Sequence, residues 1–126
     1  MNSPETTPAI TPEVTTAMEI VTFKLKSDTD PQQWLDAQAA VNEFVMAQPG
    51  FYYRSLSCDD TDTWFDIIYW QDMAKAKAAG DAFMESAAGQ AICPLIEMES
   101  CTLRHMTAIT EAMICEGNAE AEAPAA

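Results

Sequence analysis

PGFYYRSLSCDDTDTWFDIIYW, residues 49 to 70, holds two stretches rich in aromatic and β-branched side chains around an Asp-Asp-Thr-Asp cluster. Such composition favours strands, and the polar cluster between them reads as a short hairpin loop. With a four-residue loop at Asp59 to Asp62, Phe51 faces Trp70, Tyr53 faces Ile68 and Ser55 faces Asp66. The opposite face then pairs Tyr52 with Tyr69, Arg54 with Ile67 and Leu56 with Phe65. Both faces are apolar. A single layer of helices covers only one of them, so the other requires a second sheet or a second subunit.

Upstream, Ala17 to Lys26 alternates, with Val21, Phe23 and Leu25 on one side and Ile20, Thr22, Lys24 and Lys26 on the other. That is a first strand. Asp30, Pro31 and Gln33 form a helix start signal, because the Asp carboxylate can accept amide hydrogens that the first turn leaves unpaired. Trp34, Ala37, Val41, Phe44 and Val45 then share one helical face, and Pro49-Gly50 closes the segment.

Downstream, Asp72 caps an alanine-rich helix over residues 73 to 88, anchored by Phe83 and Met84. Gly80 in its interior costs about 1 kcal/mol relative to alanine, which points to a bend or a close contact there. Residues 89 to 97, interrupted by Pro94, read as a short helical turn or loop, and Glu99 to Ile109 as a fourth strand. The predicted order is βαββαβ: a ferredoxin-like α+β domain over residues 17 to 109 with a four-stranded antiparallel sheet and both helices on one face. Residues 1 to 16, with three prolines and five threonines, read as an extended arm, and residues 110 to 126 as an acidic, alanine-rich tail. Periodicity leaves open whether residues 110 to 116 add a brief helix.

The formal charge is −14, from 20 acidic against 6 basic residues. A field of that sign repels phosphate backbones and anionic lipid, which argues against nucleic acid and membrane surfaces as partners. No apolar run approaches the ~18 residues of a membrane span, and the N-terminus lacks the basic start and apolar stretch of a signal peptide, so a cytoplasmic location is expected. Cys58, Cys93, Cys101 and Cys115 show no CxxC spacing and no grouping with histidine, so neither a metal nor a redox pair is expected.

Residues P-G-F at 49 to 51, the hairpin with Trp64 and Asp66, and Y-W-Q-D at 69 to 72 running into the helix with Phe83 resemble the antibiotic biosynthesis monooxygenase-like (ABM) group. That group belongs to the dimeric α+β barrel superfamily, and the resemblance spans residues 17 to 107. It implies a homodimer whose sheets pack face to face, with a small-molecule cleft between each sheet and its own helices. Members include cofactor-independent monooxygenases, haem-degrading enzymes and proteins of no known role, so fold alone does not choose among them. The haem-degrading branch uses an Asn on the first strand and a Trp and a His on the second helix. Neither feature is present here, so no cofactor is expected.

Two side chains are candidates for acid-base chemistry. Asp66 shares a face with Trp64, Ile68 and Trp70, and a carboxylate among aromatics has its charged form disfavoured, as a general base near neutral pH requires. The competing reading is a structural Asp bonded to Ser55 or to a tyrosine hydroxyl. His105 is the one histidine, so any imidazole catalysis uses it; the alternative is a hydrogen-bonded strand residue. Trp64, Trp70, Tyr53, Phe51, Phe23, Trp34 and Phe83 are candidate walls for a small hydrophobic or aromatic ligand, with core packing as the alternative. Tyr52, Arg54, Leu56, Phe65, Ile67, Tyr69 and Arg104 are candidates for the interface. Two functions are compatible with this pattern: a cofactor-independent monooxygenase acting on an aromatic or polycyclic compound, and a non-catalytic dimerisation or ligand-sensing module. A cleft filled by side chains favours the second, and an open cleft of a few hundred Å³ containing Asp66 or His105 favours the first.

Overall fold

The computed structural model describes residues 14 to 114. The expected arm up to residue 13 and the tail from residue 115, with Cys115, lie outside the described residues. The elements are β1 (Ala17–Leu25), α1 (Pro31–Met46), β2 (Phe51–Cys58), β3 (Trp64–Trp70), α2 (Met73–Glu85), α3 (Ala87–Ile92), a 3-10 turn (Cys93–Leu95) and β4 (Ile96–Thr107). They form one compact unit over Thr15–Thr107. Val14 and residues 108 to 114 carry no helix or strand. The sheet order is β2-β3-β1-β4 with every neighbouring pair antiparallel, the ferredoxin-like arrangement.

The helix starts follow their capping chemistry. The Asp30 carboxylate accepts the Gln32 amide at 3.0 Å, with Pro31 opening α1, and the Asp72 carboxylate accepts the Lys75 amide at 2.8 Å at the start of α2. The predicted helix over 73 to 88 divides at Ser86 instead of bending at Gly80. Ser86 is extended, its hydroxyl donates to the Phe83 carbonyl at 2.7 Å, and it accepts the Gly89 amide at 3.0 Å. One side chain thus ends α2 and caps α3. The stretch read as loop after it is α3, the 3-10 turn and the first residues of β4.

One face of the sheet packs on the helices. Ala17, Ile68 and Trp70 pack with Val45 of α1 and with Ala76 and Ala79 of α2. Phe23 and Ile96 pack with Trp34 and Val41 of α1 and with Ala88 and Ile92 of α3. These are two separate clusters, so the core beneath the helices is divided. Phe65, Ile67 and Tyr69 of β3, Met18, Ile20 and Thr22 of β1, and Arg104 and Met106 of β4 project from the other face by strand alternation.

The hairpin register differs from the expectation by one residue. Phe51 does pair with Trp70, but Tyr53 pairs with Tyr69 and Arg54 with Ile68, so Tyr52 is a bulge without a counterpart. The loop runs over residues 59 to 63, one longer than expected, with Asp62 at φ 63°. The Asp59 carboxylate closes it, accepting the amides of Thr61 at 2.9 Å and Thr63 at 3.0 Å, which also holds that carboxyl below the ordinary aspartate range. A one-residue slip reverses every later side chain. Arg54 and Leu56 therefore turn to the helix-packed face, not outward as read from the sequence. Tyr53 and Ser55 turn outward, so Leu56, and not Ser55, stands opposite Asp66.

Candidate functional site: an apolar cavity with a part-buried Glu-His pair

Between the divided core clusters lies a cavity of about 630 Å³, bounded by the helix-packed face of the sheet and by all three helices. Its walls come from both clusters: Phe23, Val41 and Ile92 from one, Val45, Ile68 and Trp70 from the other. Phe44 and Phe83 meet edge to face in its wall, ring centres 5.5 Å apart. Met84, Met98 and Leu103 line it and are more than half exposed, so it opens between α2 and β4. Lys77 and Asp81 stand at that rim. Gly80 also lines the cavity, and a Cβ built there would find nothing within 4 Å. The glycine serves no close contact; it leaves space.

Two carboxyls and an imidazole reach this apolar interior from neighbouring strands: Glu19 of β1, Asp66 of β3 and His105 of β4. Glu19 and His105 are direct cross-strand partners, with Glu19 Oε1 3.4 Å from His105 Nε2 and each side chain less than a fifth exposed. Burial pushes the Glu19 carboxyl above its ordinary value. The charge and hydrogen bond of His105 oppose that rise, the Asp66 charge adds to it, and the Trp70 indole pulls weakly back. Trp70 is itself 1% exposed, and its occluded Nε1 lies near the Glu19 carboxyl without full hydrogen-bond geometry.

Asp66 has a different environment from the one its aromatic neighbours suggest. Arg54 donates from Nε to Oδ1 at 3.0 Å and from Nη2 to Oδ2 at 2.9 Å, a two-pronged ion pair. The guanidinium also donates to Asn42 Oδ1 at 2.7 Å and Gln38 Oε1 at 2.9 Å, both on α1. The sequence reading left Asp66 beside Ser55 because the register hid Arg54.

Of the expected ligand walls, Phe23, Trp70 and Phe83 line the cavity with Asp66 and His105. Trp34 and Trp64 are not among the lining residues; Trp34 is buried between Phe23 and Trp64, with ring centres at 5.5 and 5.7 Å. Phe51 lines a smaller hollow of about 300 Å³ with Tyr52 and Tyr53 at the bulge. Tyr53 is exposed and packs near Tyr69 on the outer face, away from the cavity. Phe65, Ile67, Tyr69 and Arg104 lie on that outer face. Glu19 was not singled out from the sequence, although a signal existed: it stands two and four residues before Val21 and Phe23, an acid in phase with an apolar strand face.

Cys93 and Cys101 also line the cavity, and burial pushes the Cys101 thiol up, away from the thiolate a nucleophile needs. Among the described residues no group of three His, Cys, Asp or Glu side chains could hold a metal ion. No helix among them is long and apolar enough to cross a membrane.

No protein-family model matches the chain, and no curated protein matches it. Solved structures do. SnoaB of Streptomyces nogalater, a cofactor-independent oxygenase, superimposes with a TM-score of 0.64 at 19% identity, covering 80% of this chain and 100% of its own. A dimeric ferredoxin-like protein of unknown function from Thermobifida fusca gives 0.63 at 13% identity, covering 79% and 97%. A Nitrosomonas europaea protein provisionally described as an antibiotic biosynthesis monooxygenase gives 0.63 at 12% identity, covering 80% and 97%. At such identities the likeness is one of fold. The four-stranded antiparallel sheet under three helices is the ferredoxin-like α+β fold that this chain shares with these structures.

Proposed function

We propose that the chain is a small-molecule-binding homodimer that oxidises an aromatic or polycyclic hydroxy compound with dioxygen and without a cofactor. The observation that carries this is the cavity: about 630 Å³ of mostly apolar space that side chains leave unfilled, with His105 and Glu19 in its wall. A dimerisation module has no need of such a cavity. The SnoaB likeness supports the oxygenase reading as an analogy of fold.

Chemically, the substrate supplies the electrons. His105 takes the hydroxyl proton and leaves an electron-rich oxyanion in a dry apolar space. That anion reduces dioxygen, a C–O bond forms at the ring carbon para to the oxygen, and the proton returns to the peroxide. Loss of water gives a quinone: one oxygen atom enters the carbonyl, the other leaves as water with two hydrogens from the substrate. Asp66, held by Arg54, anchors the wall and does not move this proton. Dimerisation is supported by the outer face, whose Ile20, Phe65, Ile67 and Tyr69 no helix among the described residues covers.

Oxygen uptake by the purified protein with an anthrone and naphthol panel tests the reading. The expected result is one dioxygen consumed per quinone formed, without added metal, flavin or haem, and lost in His105→Gln. A panel that neither binds nor turns over overturns it.

A further inference from the structure

We infer that the cavity is also a quinone-capture site, in which the wall thiol of Cys93 adds to the ring of a bound quinone and blocks the cavity covalently. The inference rests on the oxidation proposed above, whose product is a quinone, and adds a regulation to it: product that lingers shuts the site.

Two thiols are built into the cavity wall. Cys93 opens the 3-10 turn after α3, and Cys101 stands on β4. β4 leaves its register there: Thr22 of β1 pairs with Thr102 and Lys24 with Glu97, so residues 98 to 101 stand against Phe23 alone. The Ser100 hydroxyl closes this bulge, donating to the Glu97 carbonyl at 2.6 Å and accepting the Lys24 amide at 2.9 Å. Met98 and Cys101, at its two ends, both line the cavity. Cys101 also packs on the cluster of Phe23 and Trp34, the ordinary use of a half-buried cysteine as a small apolar group. Cys93 belongs to neither core cluster, yet it lines the same space and is half-buried. It borders the room that a ring system would fill.

The other two described thiols are held back. Burial, and then the charge of Cys93 beside it, push the Cys101 thiol up. Cys58, at the exposed end of β2, is pushed up by desolvation and by the Asp62 and Asp59 carboxylates. The thiolate is the nucleophile, so both are poor competitors. In the capture step the Cys93 sulfur bonds to an unsubstituted ring carbon next to one quinone carbonyl, and the electron pair of the ring double bond moves onto the far carbonyl oxygen. The thiol proton joins that oxygen and the displaced ring hydrogen joins the other. A hydroquinone thioether results, with no atom lost and no further oxidant or reductant. The unoxidised hydroxy compound offers no such electrophilic carbon, so substrate leaves Cys93 untouched and product does not.

1,4-Naphthoquinone applied under nitrogen to the full chain, with Cys115→Ser removing the thiol outside the described residues, tests this without requiring turnover. Peptide mapping follows the thioether at Cys58, Cys93 and Cys101 with time. Cys93 should label first, at a rate that levels off as quinone rises. 1-Methoxynaphthalene, which occupies the cavity without reacting, should slow Cys93 about tenfold at about ten times its dissociation constant and leave Cys58 unchanged. If Cys93 stays free in the folded chain while all three thiols label in urea, or if its labelling is linear in quinone and indifferent to the ether, the inference falls. Turnover of the hydroxy panel by a protein whose Cys93 resists quinone overturns this inference alone. Capture at Cys93 in a protein without turnover upholds the quinone site and overturns the oxidation.

Discussion

Arg54 of β2 and Asp66 of β3 are joined by two parallel hydrogen bonds, Nε to Oδ1 at 3.0 Å and Nη2 to Oδ2 at 2.9 Å, with the guanidinium 4% exposed. This pair fixes the hairpin register. In the unbulged alternative the two side chains stand on opposite faces of the sheet, and a charge would be buried alone. The same guanidinium ties β2 to α1 through Gln38 and Asn42.

Asp66→Asn should therefore cost stability first. It leaves an uncompensated buried guanidinium, worth about 2–4 kcal/mol. The double variant Arg54→Met/Asp66→Leu should recover most of that, because it removes both charges at similar volume. Urea unfolding of the three proteins checks the order. A single variant as stable as the parent contradicts the structural role assigned to this pair.

Two helical glycines separate space from contact. At Gly89 a Cβ would stand 2.1 Å from the Phe83 carbonyl oxygen, whereas at Gly80 it meets nothing within 4 Å. Gly89→Ala should destabilise by about 1–3 kcal/mol, since backbone must shift. Gly80→Ala should stabilise by up to about 1 kcal/mol through helix propensity while taking room from the cavity. Thermal melts distinguish them, and weaker naphthol binding by Gly80→Ala would show what the glycine is for.

Strand and helix positions were legible in the sequence because caps and alternation are local: Asp30-Pro31, Asp72 and the run Val21, Phe23, Leu25 each state their element within a few residues. The hairpin register was not, because the Tyr52 bulge depends on an extra loop residue and on Arg54 finding Asp66 and α1, contacts between elements. The break at Ser86 was hidden for the same reason, since Gly89 matters only against the Phe83 carbonyl. Candidate chemistry followed the register. His105 was found by its residue type, Asp66 was found but given the wrong neighbour, and Glu19 was passed over although it lies in phase with Val21 and Phe23.

Glu19 should leave a signature in the pH dependence of stability. Its carboxyl is raised in the folded state, chiefly by burial, so the native protein binds more protons there than the unfolded chain. Stability from this group thus falls as pH rises from its ordinary value of 4.5 through the raised folded value, then levels off. Glu19→Gln removes that term. The difference between the wild-type and variant unfolding free energies, measured from pH 4 to 8, should favour the variant increasingly over that window. A flat difference would mean that Glu19 is not desolvated.

The outer face gives the last test. Ile67 lies on the inner strand β3, and strand alternation places it on the face opposite Ile68, which is buried against the helices. No helix among the described residues packs on that side, and Ile20, Phe65 and Tyr69 are its neighbours there. A second sheet laid against it excludes water from a contiguous apolar surface, the driving force expected of a permanent dimer. Light scattering should then give about 28 kDa, twice the 13.8 kDa chain. Ile67→Glu places two charges, one from each protomer, in that dry contact and should shift the species to the monomer mass, leaving the helix content unchanged. A parent protein that is already monomeric, or an Ile67→Glu protein that still dimerises at micromolar concentration, would assign the dimer contact to some other surface or remove it.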